Sequence, residues 1–583
     1  MKVNKIIAGI MAVCVMGMGV PYVNAVTENN SVITASAENY TYDSYEQIKY
    51  INEGDYIKIS DCDKSATDVV IPSEIDGIPV TSIGAGAFAY CINLTSIKIP
   101  DSVTSIGGSA FKDCRSLKSI KIPDSITSIS NWTFQNCLSL VSVEIPDSVI
   151  NIGGDAFDGT PWLKKKRREN PFVVVNDILI DATACSGDIV IPDGVTCIDG
   201  EAFSGCEDLT SVIMPESLTS IGDYAFYECS NLTSVEIPDN VTSIGRGAFA
   251  DCSGLTSIEI PDNVISIGNI AFCNCGGLKT IEIPESVKSI GYRAFEDCSL
   301  TSVTIPDSVT NIGGLAFNAT PWLESKRAEN PLVIVNNILI DGQSCSGDIT
   351  IPDDVTSIGE MAFMECKSLI SVTIPDSVTS IGVMAFGGCS GLTSIEIPDG
   401  VTSIESSTFS WCIGLTSIEI PDSVTNIESV AFYNCSGLAS VTIPESVTNI
   451  GIGAFNYCSS LTEITILNPE CEIYDYETTI ANGEDEPYFN GTIKGYENST
   501  AQAYAEKYNR KFVSLGEAPE KETITGDING DNSVNIADAV LLQSYILGRK
   551  NLTEEQFKNA DLTGDGFVDC FDMVLLRKQI INK

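Results

Sequence analysis

The sequence predicts a repeat solenoid, mainly of short β-strands and turns, followed by a small α-helical unit, and three observations carry that prediction. A 23-residue phrase recurs between Phe88 and Phe455; within it Leu-x-x-Ile-x-Ile alternates apolar and polar residues as a strand does; and two carboxylate-crowded loops near residues 527 and 561 each lead into an apolar helical stretch.

Taken in chain order, Lys2 and Lys5 precede an apolar run over 6–20, too short to span a bilayer but suited to the core of a secretory signal. Residues 1–37 read as that signal, cut after Ala25 or Ala37, where Val23-Asn24-Ala25 and Ala35-Ser36-Ala37 offer small residues. Cys14 lacks the small residue before it that a lipid anchor needs, and no later segment has transmembrane length and purity. Residues 38–70 read as a cap of strands, because a solenoid must cover its end coils.

The beat over 71–467 is marked by Phe88, Phe111, Phe134 and Phe157, then Phe203 to Phe317, then Phe363 to Phe455. Most steps are 23 residues; the step from Phe295 to Phe317 is 22, and those from Phe157 and Phe317 are double at 46. The expectation is about seventeen coils, stacked without interruption. One coil cannot bury its apolar side alone, so neighbours must, at strand spacings of about 4.8 Å.

Both double steps contain the same departure, "TPWLKKKRRENPFVVVNDILID" and "TPWLESKRAENPLVIVNNILID", 160 residues apart, which indicates duplication of a block of coils. Trp162 and Trp322 within them read as packing rather than ligand-stacking residues, and the basic run at 164–168 as a solvated bulge. Thirteen of the 21 cysteines occupy one place in the beat and read as a buried column of reduced thiols, since parallel rungs hold Cβ atoms too far apart for a disulfide. Lys98, Lys121, Glu144, Glu236, Glu259, Glu282, Glu396 and Glu419 form a ladder on the strand face, read as solvated; stacked glutamates imitate a glycosidase pair by spacing alone.

Residues 468–516 read as the second cap, with Asn498 or Ser499 starting a short helix and "KFVSL" a last strand; 517–525 is a polar linker. Beyond it, Asp527, Asn529, Asp531, Ser533, Asn535 and Asp538 take positions 1, 3, 5, 7, 9 and 12 of one loop, and Asp561, Thr563, Asp565, Phe567, Asp569 and Asp572 the same positions of another. Oxygen donors at this spacing wrap a calcium ion, with position 7 giving its backbone carbonyl. Asn532 holds the position-6 glycine role in the first loop, and Thr563 is a weaker donor in the second. No helix-length segment precedes the first loop, so the units read as half EF-hands, two calcium ions in all.

Bulk composition removes several chemistries. A formal charge of −45 opposes an extended nucleic-acid or anionic-membrane footprint, and the absence of histidine excludes imidazole acid–base catalysis and His-ligated zinc. No catalytic residue is proposed.

The phrase "IPDSVTSIGxxAFxxCxxL" resembles the BspA-like leucine-rich repeats of bacterial surface and secreted proteins, which implies a binding or adhesion scaffold. The paired loop–helix units over 526–583 resemble the type I dockerin of cellulosomes, which implies calcium-dependent docking onto a cohesin of a scaffold protein. That resemblance puts the contact positions on Ile536, Ala537, Gln543 and Ser544 in the first unit and on Cys570, Phe571, Arg577 and Lys578 in the second. The two sets differ, so one docking orientation is expected. The expectation is a secreted, non-catalytic cellulosome-associated protein whose coils hold a protein or glycan; the alternatives are a polysaccharide-degrading component and a spacer or adhesin without a ligand of its own.

Overall fold

The computed structural model describes residues 43–45, 47–483, 488–519, 524–530 and 533–581; the expected signal segment and the position-5 residue Asp531 lie outside the described residues. The chain divides into two compact units, one through Arg168 and one from Glu169. Among the described residues no helix is long and apolar enough to cross a membrane.

In the first unit, Asp43–Tyr45, Ile48–Asn52 and Ile57–Cys62 pair antiparallel, and Ile57–Cys62 then pairs in parallel with Ile78–Ile83. This switch from hairpin to parallel ladder starts the coils. The strand expected in Leu-x-x-Ile-x-Ile forms, as in Ser142–Glu144 beside Ser119–Lys121 with Ser142 opposite Ser119. Each coil also carries a second strand that the pattern did not announce. It is two residues long, Ser-Ile, and runs as a parallel ladder through Ser220–Ile221, Ser243–Ile244, Ser266–Ile267 and Ser289–Ile290. Two residues are too few to show alternation, which is why the sequence concealed it. The glycine after each such pair answers to close approach: a Cβ at Gly268 would sit 2.6 Å from the carbonyl carbon of Gly245.

The third side is a turn around Ala-Phe. The second residue after each of the fifteen beat phenylalanines has positive φ, for example Asp251 at 60° and Asn274 at 60°. The left-handed residue aims turn N–H groups along the stack: Phe249 donates to the Ala271 carbonyl at 2.8 Å and Asp251 to the Cys273 carbonyl at 2.8 Å. Parallel phenylalanine rings stack inside, with Phe249 lying 5.2 Å from Phe226 and 5.4 Å from Phe272 and tilted by 3° and 6°. Burying one such ring contributes about 1.5–3 kcal/mol.

The cysteine column lies beside the rings. Ten of the thirteen thiols donate to the carbonyl of the phenylalanine one coil earlier, as Cys252 does to Phe226 at 3.1 Å, Cys275 to Phe249 at 3.1 Å and Cys298 to Phe272 at 3.0 Å. Burial pushes the Cys412 and Cys458 thiols up, to about 12. Cys91 is the exception: Cys62 and Lys64 beside it hold its thiol below the usual value, against burial.

The expectation of uninterrupted coils is corrected at the two double steps. Each holds a nine-residue helix, α1 (Pro161–Glu169) and α2 (Pro321–Glu329), followed by an antiparallel hairpin, Val173–Val175 with Ile178–Asp181 and Val333–Val335 with Ile338–Asp341. Thr320 caps α2 through its side-chain oxygen, with Pro321 in the first turn, and Asn336-Asn337 at φ 49° and 62° make the hairpin turn. The apolar core of the second unit breaks here into one cluster from Leu179 to Ile338 and another from Leu339 to Ala505. Trp162 and Trp322 are buried, their rings 4.7 Å and 4.9 Å from Phe157 and Phe317, so both pack, as expected. The basic run is solvated, as expected, but lies within α1, wrapping around the helix, rather than in a bulge.

Beyond the last coils, Ser499 caps α3 (Thr500–Lys507), and Lys511–Ser514 pairs in parallel with Thr492–Gly495 as the last strand.

Candidate metal centre and docking surface

The C-terminal loops fold around three helices: α4 (Ile536–Ile546), α5 (Glu554–Ala560) and α6 (Cys570–Ile581). Their small core joins Ile528, Val534, Leu542, Ala560, Met573 and Leu576. Helix α5, which the sequence reading did not place, runs directly into the second loop; its signal was the capping box Thr553-x-x-Gln556, with both reciprocal bonds formed.

Position 12 organises each loop. The fully buried Asp538 carboxylate accepts from the N–H groups of Ile528 at 2.7 Å and Asn529 at 3.0 Å with one oxygen, and from Asn535 at 2.8 Å with the other. Asp572 repeats the arrangement with Thr563 at 2.9 Å and Asp569 at 2.8 Å. Each carboxylate thereby ties the start of its loop to the start of the following helix. Position 9 supplies the helix cap: Asn535 accepts from Ala537 and Asp569 from Phe571, both at 2.7 Å.

Position 1 holds the turn. Asp527 accepts from Gly530 at 2.8 Å; Asp561 accepts from Gly564 at 2.8 Å, Asp565 at 3.1 Å and Gly566 at 2.8 Å. Desolvation works to raise the Asp561 pKa, but these backbone donors outweigh it and hold the carboxyl below its ordinary value. Gly530, Gly564 and Gly566 have φ of 78°, 71° and 82°, the left-handed backbone that a tight anion-lined turn requires.

Asp565 at position 5 accepts from Phe567 at 2.9 Å, Thr563 at position 3 donates to Asp561 at 3.3 Å, and the Ser533 carbonyl at position 7 accepts from Asn535. The donor set of carboxylate, amide, hydroxyl and carbonyl oxygens fits a hard cation such as calcium. Among the described residues no three carboxylates or thiols converge at metal-holding geometry; the loops' carboxylates accept from their own N–H groups.

The docking positions implied by resemblance lie on the helix surfaces. Ile536, Ala537, Gln543, Cys570, Phe571, Arg577 and Lys578 are exposed and Ser544 is half-buried. Val540 and Leu547 extend the exposed apolar surface on or beside α4, and Val574 and Ile581 on α6, four residues the sequence reading missed. Their signal was present, since an apolar helix with residues left over after its core face is filled must expose them.

Comparison with known proteins agrees with this division. The family BspA type Leucine rich repeat region matches residues 60–177, 182–281, 242–370 and 383–477, and the Dockerin type I domain matches 525–581. Among solved structures, the chain is similar to a leucine-rich repeat protein from Bacteroides ovatus, at 25% identity over 81% of this chain and 99% of that one with a TM-score of 0.25. It is also similar to a leucine rich cell surface protein from Faecalibacterium prausnitzii, at 26% identity over 77% of this chain and 100% of that one with a TM-score of 0.27. No curated protein matches. With repeat matches spanning more than half its length, this chain belongs to the BspA-type leucine-rich repeat proteins and carries a type I dockerin domain.

Proposed function

We propose that the protein is a secreted, non-catalytic component of a cellulosome-type assembly, in which the dockerin plugs into a cohesin and the coils present a surface for a protein or glycan. The observation that carries this reading is the pair of loop–helix units, each closed by a buried aspartate and each followed by a helix with exposed apolar residues, within the dockerin match. Asp527, Asn529, Asp531, Ser533, Asn535 and Asp538 would hold one calcium ion, and Asp561, Thr563, Asp565, Phe567, Asp569 and Asp572 the other. Calcium supplies the charge that lets carboxylates share a loop.

Ile536, Ala537, Gln543 and Ser544 on α4, and Cys570, Phe571, Arg577 and Lys578 on α6, are the proposed cohesin contacts. Gln-Ser against Arg-Lys at the matching positions favours one docking orientation. The test is capture of the full chain by a panel of immobilised type I cohesins, in calcium and in chelator. Calcium-dependent retention supports the reading; absence of retention on every cohesin, or retention indifferent to chelator, defeats it.

A further inference from the structure

The residue before each column cysteine must adopt a left-handed backbone, and the coils mostly fill that place with the residue types that tolerate it. Asp113, Asn136, Gly205, Asp251, Asn274, Asp297, Gly388 and Asn434 follow the rule, and Glu228 and Glu365 hold the place with a longer acidic side chain. Tyr90, Trp411 and Tyr457 break it, at φ of 61°, 62° and 60°. A bulky aromatic in this conformation costs backbone strain. Trp411 gains no full burial in exchange, being 42% exposed.

Two of the three rule-breakers are joined. Trp411 and Tyr457 stand two coils apart, and the intervening coil offers Tyr433, placed just after its phenylalanine. The Tyr433 ring lies 6.1 Å from Trp411 and 5.3 Å from Tyr457, and its carbonyl accepts the Trp411 N–H at 2.7 Å. The aromatic row thus runs without a gap over three consecutive coils, with the half-buried polar Asn434 at its edge. The coil before Trp411 carries Gly387-Gly388 at the two corresponding outward places, so no ring continues the row on that side.

We propose that Trp411, Tyr433 and Tyr457 form a carbohydrate-binding strip that stacks on the apolar C–H faces of a neutral glycan chain. Trp132, equally exposed and at φ 57°, shares the strain; what sets Trp411 apart is the aromatic row in the two coils that follow it. The periodicity indicates an extended ligand: coils repeat at about 4.8 Å, close to the advance of one pyranose ring along a linear chain. Adjacent hydroxyls would find a hydrogen-bond group at Asn434. The rings are tilted by 54° and 62° to one another, and Trp411 alone of the three is exposed while Tyr433 and Tyr457 are half-buried, so Trp411 supplies the main stacking face. The proposal rests on the reading of the coils as the ligand-binding part of the protein and is independent of the dockerin.

The test is tryptophan fluorescence and isothermal titration of the full chain with cellohexaose, xylohexaose and mannohexaose, with cohesin capture measured on the same samples. The decisive variant is Trp411→Asn, which restores a residue suited to the backbone. It is expected to match or exceed the native protein in thermal stability and to lose at least tenfold in affinity for the sugar that binds. Trp132→Asn, which removes an equally exposed tryptophan from another coil, should leave affinity unchanged. Failure of all three sugars to bind, equal binding by Trp411→Asn, or loss only in Trp132→Asn overturns the strip. Loss of cohesin capture alone counts against the docking reading and leaves the strip standing.

Discussion

The coils and the dockerin loops order turn-rich backbone by opposite means. A coil fills its interior with a phenylalanine and a neutral thiol and passes its turn N–H groups to the carbonyls of the next coil, so its order is borrowed from neighbours. A dockerin loop crowds carboxylate oxygens into one place and satisfies them locally, over a core of six buried apolar residues among those described. The lesson is that repetition can replace local hydrogen bonding: what one coil lacks its neighbours supply, whereas a single loop must supply its own donors.

Removing calcium should separate the two regions most sharply. In chelator, hydrogen exchange of the full chain should show amides of 536–546 and 570–581 losing protection completely while those of 220–290 keep theirs. Unchanged protection in α4 and α6 would mean that the loops do not depend on metal. Next in size, Phe272→Ala should destabilise the coils by about 3–5 kcal/mol, read from urea unfolding, without altering cohesin capture. A parallel loss of capture would show that the regions are coupled.

Alkali gives a third separation. Burial keeps Cys412 and Cys458 protonated up to about 12, whereas an unfolded thiol titrates near 8.5. The folded coils therefore hold protons that the unfolded chain releases. Stability from this source is complete below about pH 8.5 and falls as pH rises toward the folded values, by about 1.4 kcal/mol per pH unit for each thiol. The urea midpoint of the coils should drop accordingly, while the dockerin, whose one cysteine, Cys570, is exposed, should lack this dependence. The smallest effect concerns strain: Ile270 sits at φ 50°, and Ile270→Asn should gain about 0.5–1 kcal/mol in the same assay.

The period, the first strand and the calcium-loop spacing were legible because each repeats a pattern long enough to count. The Ser-Ile ladder was not, since two residues carry no periodicity, and the left-handed turn was not, since φ leaves only a preference for Asp, Asn and Gly at one place. Helices α1 and α2 were readable from Thr-Pro at 160–161 and 320–321, a cap followed by a first-turn proline, but the basic run after the first drew attention to charge instead of geometry. Of the four tryptophans, Trp162 and Trp322 stood out because their surroundings depart from the beat. Trp132 and Trp411 lay hidden inside it, and their backbone conformation was needed to show that they are out of place. In the dockerin the loop positions were readable one by one, but the use of Asp538 and Asp572 as ties between loop and helix depends on their burial, which no spacing reveals.

The ladder passes through the 22-residue step without a bulge: Ser289 pairs with Asn311 as Ser266 pairs with Ser289. Loss of a residue at the "CSL" corner at 298–300 is therefore absorbed where coils meet solvent, and the next coil resumes in phase. A gene for such a stack of coils can gain or lose a beat and still encode coils that pack in phase, which makes the number of coils a heritable quantity separable from recognition.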